Sequence, residues 1–229
     1  MTRTTNARIA GFSFLFYIAV GIPSMVLFGR ATGGEGVAAK LASIAQHAPL
    51  VRLTAVLTLL TFFDAVVLAV ALYALTRDQD PDLAVLALCC RVTEGVIGAI
   101  SAVRTLGLLS VATASTAAAA PDAAAVQALG ALLLQQGDSG TLIAATCFAV
   151  GSALYSYLFL RARTIPVPLA QLGVVASLLL VVALTFRLAG FLRGPVTYYV
   201  WIPMAVFEVA LGLWLLIKGV AMPSRRQST

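Results

Sequence analysis

Cys89-Cys90-Arg91-Val92-Thr93-Glu94-Gly95 lies inside an apolar run that extends over residues 82–112. Arg91 and Glu94 stand three residues apart, so on a helix they share a face. About 20 apolar residues suffice to cross a bilayer, and this run is longer. A charge at the bilayer centre costs roughly 2.5–3.5 kcal/mol on insertion scales, so it normally faces a partner or a wet cavity. The stretch therefore reads as a membrane span with a polar heart.

Composition agrees. Of 229 residues, 61% are hydrophobic and 10% charged, against about a quarter charged in an average soluble domain. The natural solvent of such a chain is lipid. The net charge is +6, yet the basic residues are scattered between hydrophobic segments. No basic face for nucleic acid results. Cys89, Cys90 and Cys147 sit in apolar segments, where a thiol behaves as a small hydrophobe. With His47 as the one histidine, no Cys/His metal set can be assembled, and no metal or cofactor is expected.

Outward from residues 82–112, five more segments are long and apolar enough to span: 9–28, 51–76, 141–160, 169–188 and 198–220. The first is read as a retained helix rather than a signal peptide, because no small-x-small site closes it. Residues 36–48 place Val37, Leu41 and Ile44 on one side, which suits a short surface helix. Pro121-Asp122 starts a second, over residues 123–136. Pro166 and Pro168 stiffen one turn, and Gly190, Arg193, Gly194 and Pro195 mark a loop. Tyr198, Tyr199 and Trp201 open the sixth span as an interfacial aromatic belt, and Pro223 ends it. The expected fold is all-α: one integral membrane domain over residues 1–229, a polytopic helix bundle of six transmembrane helices plus two short surface helices.

Six spans put both termini on one side. With the termini cytoplasmic, the inner flanks hold Arg3, Arg8, Arg77, Arg161, Arg163, Lys218, Arg225 and Arg226; the outer flanks hold Arg30, Lys40, Arg52 and Arg193. The positive-inside rule favours that orientation, in the cytoplasmic membrane.

Three acids fall at one depth. Asp64 lies twelve residues from Thr76, Glu94 twelve from Asp82, and Glu208 eleven from Gly219. At 1.5 Å per residue each is roughly 16–18 Å from the inner surface. Arg91 is one turn closer. Thr54, Thr58, Thr61 and Asp64 form one polar stripe; Arg91, Glu94, Gly98, Ser101 and Thr105 form another. Gly95 and Gly98 would admit a close neighbouring helix. Arg104 and Arg187 lie near the outer surface as snorkelling anchors or as the two sides of an anion-attracting mouth. Tyr17, Tyr73 and Tyr155 read as interface or packing residues. No G-x-S-x-G, H-E-x-x-H or phosphate-cradling loop occurs, which weighs against an enzyme.

Four short motifs resemble one family. Ala7-Arg8-Ile9-Ala10-Gly11, Arg91-Val92-Thr93-Glu94, Pro203-Met204-Ala205-Val206-Phe207-Glu208 and Gly212-Leu213-Trp214-Leu215-Leu216-Ile217-Lys218-Gly219 are similar to the bacterial membrane family catalogued as domain of unknown function 4386. The resemblance implies a multi-spanning bacterial inner-membrane protein and brings no activity. It picks out Arg91, Glu94 and Glu208; Asp64 joins them on depth alone.

Three functions fit these residues. The first is binding or transport of a small solute or proton at the Asp64, Arg91, Glu94 and Glu208 cluster. The second is an accessory subunit in which the same charges only fix helix packing. The third is an intramembrane enzyme acting on a lipid-like substrate.

Overall fold

The computed structural model describes residues 2–114, 122–192, 194 and 196–221. Pro121, Arg193, Pro195, Pro223, Arg225 and Arg226, used above as helix, loop and topology signals, lie outside them. The described residues form α1 (Arg3–Ala31), α2 (Gly36–Gln46), α3 (Ala48–Thr76), α4 (Pro81–Ala114), α5 (Ala123–Ala162), α6 (Val167–Leu188), α7 (Val196–Tyr199) and α8 (Ile202–Ile217). No strand occurs among them, and six helical segments are long and apolar enough to cross a membrane. This is a multi-pass membrane protein. Large apolar side chains turned outward, among them Val56, Val70, Val103 and Val175, meet the lipid.

Two segments depart from the sequence reading. Residues 123–136 are not a separate helix but the first turns of the 40-residue α5. The sequence reading stops one helix at residue 136 and starts a span at 141, with Gly137 and Gly140 between them. Isolated glycines only weaken a helix, and no proline interrupts this one. The sixth span is divided instead, into α7 and α8, with Pro203 in the first turn of α8. Proline lacks the N–H a helix needs and clashes with the carbonyl four residues earlier, so a helix can begin at Pro203 but not run smoothly through it. Pro23, by contrast, is accommodated inside α1.

Contacts divide the chain into two compact units. The first takes residues 1–17, 64–95 and 142–229, and so holds α6, α7, α8 and the adjoining parts of α1, α3, α4 and α5. Its core is built on Phe14, Leu68, Leu72, Leu158, Phe159 and Leu211. Helices approach closely where glycines permit. A Cβ on Gly11 of α1 would lie 2.5 Å from the backbone nitrogen of Leu216 and 2.6 Å from the carbonyl oxygen of Gly212 on α8. One on Gly173 of α6 would lie 2.5 Å from the Phe207 ring. Ion pairs close the end nearest the N-terminus: Arg3 to Asp78 at 3.2 Å and Arg161 to Asp80 at 3.1 Å.

The second unit takes residues 18–63 and 96–141. Leu41 and Ile44 of α2 pack with Val51, Leu108 and Val126, so the apolar side read in residues 36–48 is buried. Gly98 is not a close-packing site: nothing described lies within 4 Å of where its Cβ would be.

Candidate functional site

The polar heart belongs to the first unit. Arg91 on α4 is among the largest fully buried side chains, 1% exposed, and Glu94 is 6% exposed. Their spacing brings Arg91 Nη1 to 3.0 Å from Glu94 Oε2. The pair is in ionic contact but out of line for a hydrogen bond. Among the described residues, Nε, Nη1 and Nη2 of Arg91 and Oε2 of Glu94 have no hydrogen-bond partner. A guanidinium carries five N–H donors. Those of Arg91 are left largely unspent.

Three other helices bring side chains against this pair. Tyr17 on α1 donates its hydroxyl to Glu94 Oε1 at 2.9 Å. On α5, Phe148 lies under the guanidinium, with Arg91 Cζ 4.6 Å from the ring centroid, a cation–π contact. One turn on, Gly151 clears the aliphatic stem: a Cβ there would stand 2.9 Å from Arg91 Cγ. Tyr155, a further turn along, is buried and donates to the Ala69 carbonyl of α3 at 3.0 Å, within electrostatic reach of Arg91. Glu208 on α8 is half-buried and lies within electrostatic reach of Arg91, Glu94 and Tyr17.

Asp64 on α3 borders this group. Arg91 is within electrostatic reach of Asp64. The aspartate lines an open cleft of about 700 Å³ that runs along α1 from Thr5 and Arg8, past Phe12 and Val67, to Ser13, which lines the same cleft. Arg91, Glu94 and Glu208 lie within electrostatic reach of one another, and Asp64 reaches this group through Arg91. The threonines above Asp64 do not join them. Thr54, Thr58 and Thr61 donate to the carbonyls of Leu50, Thr54 and Leu57 in their own helix. Ser101 and Thr105 do the same on α4.

Arg104 and Arg187 fall in different units. Arg104 is spent locally, donating to the Leu133 carbonyl at 3.0 Å and lying across Gly137, where a Cβ would strike its guanidinium. Arg187 is exposed in the last turn of α6.

Sequence reasoning missed Tyr17, Phe148, Gly151 and Tyr155. Tyr17 and Tyr155 carried one usable signal: each sits inside a span, away from the interface where tyrosine is usual. Phe148 and Gly151 carried none, because an apolar ring and a glycine in a span look like packing. Among the described residues no cluster of His, Cys, Asp and Glu is arranged to hold a metal ion.

Compared with known proteins, residues 9–219 match the family model described as Domain of unknown function (DUF4386). No curated protein and no solved structure matches the chain.

Proposed function

The chain belongs to the DUF4386 family, which brings no assigned activity, and from its site we propose a small-solute or proton-linked binding and transport protein. Glu94 and Glu208 are the titrating groups, and Arg91 is the counter-ion that sets their protonation. Each carboxylate takes a proton on oxygen to become a carboxylic acid and later returns it. The observation that supports this is Arg91 itself, a fully desolvated guanidinium whose donors are mostly unspent beside Glu94. Leaving buried donors unpaired costs about 1–3 kcal/mol each, more for charged groups. A group that only fixed packing would be better satisfied. Intramembrane ionisable residues with spare capacity are characteristic of solute paths and proton relays. The membrane is the bacterial cytoplasmic one, with both termini on the cytoplasmic side, on the strength of the arginine distribution.

The test is proton movement into liposomes holding the purified protein under an imposed pH gradient, read by an entrapped pH dye. Wild type should collapse the gradient faster than empty liposomes, and Glu208→Gln at least tenfold more slowly than wild type. Unchanged flux in Glu208→Gln overturns the proposal. The accessory-subunit reading has its own support in the Phe148 and Gly151 seat, which packs Arg91 closely. It predicts no flux and a tight protein partner on pull-down from native membranes.

A further inference from the structure

We infer that the cleft along α1 is a one-sided aqueous access route, and that Asp64 is the carboxylate that receives protons from it and passes them to the Arg91 cluster. This inference rests on the proton-linked reading above. The cleft holds about 700 Å³; at roughly 30 Å³ per molecule in the liquid, that is room for on the order of twenty waters. A water also needs two to four polar partners. Thr5 and Arg8 provide them at the outer end, and Ser13 and Asp64 at the inner end. Arg3, close by, is already held by Asp78 and the Leu75 carbonyl.

Depth gives the cleft its meaning. Ser13 is ten residues along α1 from Arg3, roughly 15 Å into the membrane at 1.5 Å per residue. Phe12 and Val67 wall the cleft at that level, so it carries hydroxyls and a carboxylate down between apolar surfaces. Asp64 stands at the join. It lines the cleft, yet its Oδ2 is shielded and without a hydrogen-bond partner among the described residues, and Arg91 is within its electrostatic reach. The charged and titratable groups around this junction are Arg8 and Tyr17 on α1, Arg91 and Glu94 on α4, Tyr155 on α5 and Glu208 on α8. The transfer balances without a co-reactant. Hydronium in the cleft gives its proton to the Asp64 carboxylate and leaves as water. The resulting acid gives the proton to a carboxylate of the cluster, and Asp64 is again an anion.

The experiment uses the full chain in liposomes, with Cys89, Cys90 and Cys147 replaced by alanine. Single cysteines are introduced as Phe12→Cys and Val67→Cys in the cleft and as Val70→Cys outside it. Val70 is exposed like Val67 and lies one helical turn closer to the N-terminal surface. A charged, membrane-impermeant thiol reagent should modify positions 12 and 67 from one face only, at least tenfold faster than position 70. Asp64→Asn should keep that labelling and lose at least tenfold in proton flux. Positions 12 and 67 no more reactive than 70 would mean a lipid-filled cleft and overturn the route, leaving the cluster reading intact if flux still depends on Glu208. Labelling as expected with wild-type flux in Asp64→Asn overturns the relay. No flux in wild type overturns both readings.

Discussion

Gly151 of α5 faces the aliphatic stem of Arg91 so closely that a Cβ there would stand 2.9 Å from Cγ and 3.1 Å from Cδ of the arginine. The obstructing atoms belong to a long side chain, but one fixed by its ion pair and by Phe148. Gly151→Leu should displace the guanidinium and lower the melting temperature in mild detergent. Overpacking typically costs about 1–3 kcal/mol, or roughly 2–4 °C per kcal/mol for a chain of this size. A melting temperature equal to wild type would show that Arg91 can be seated elsewhere.

Breaking the Arg91–Glu94 pair from one side leaves a buried charge uncompensated, at about 3–5 kcal/mol in soluble proteins. Arg91→Met and Glu94→Gln should each destabilise, and the double variant should be more stable than the sum of the two losses predicts. The double-mutant cycle on thermal unfolding measures that coupling. Additive losses would mean that the two groups, 3.0 Å apart, do not stabilise one another.

Tyr17→Phe removes the donor to Glu94 Oε1 and nothing else. Hydrogen bonds to charged groups are worth about 1.5–3 kcal/mol, so the variant should unfold several degrees below wild type. Tyr73→Phe is the matched control. A loss no larger than that of the control would count against the contact.

Gly11 and Gly98 make opposite predictions from the same substitution. At Gly11 the obstructing atoms are backbone, Leu216 N and Gly212 O, and cannot swing aside. Gly11→Ala should therefore separate α1 from α8 and destabilise. At Gly98 there is open space, and glycine within a helix is worse than alanine by roughly 0.5–1 kcal/mol. Gly98→Ala should be neutral or stabilising. Melting temperatures that fall equally for both would contradict the packing described.

Much of this is legible in the sequence, for physical reasons. Hydropathy alone marks the spans, because each must satisfy its own backbone in lipid. Equal depth singled out Asp64, Glu94 and Glu208 as candidates beside Arg91, because spans of similar length share one slab. What could not be read was contact between distant residues. Tyr17 meets Glu94 across 77 positions, and periodicity says nothing about which helix lies beside which. Local cues also misled. The short helix read over residues 123–136 stops where α5 continues, with Arg104 lying across Gly137. The threonine stripe on α3 suggested a polar face, but the hydroxyls turn back to their own helix.

The central claim is that the buried cluster exchanges protons, and the most direct measurement is infrared difference spectroscopy of the purified protein between acid and alkaline pH. Wild type should show the carbonyl stretch of a carboxylic acid appearing and disappearing reversibly. That band should weaken in Glu208→Gln and in Glu94→Gln while the amide bands stay unchanged. A wild type without such a band, or one equally strong in both variants, would contradict the account and leave Arg91, Glu94 and Glu208 as a packing network.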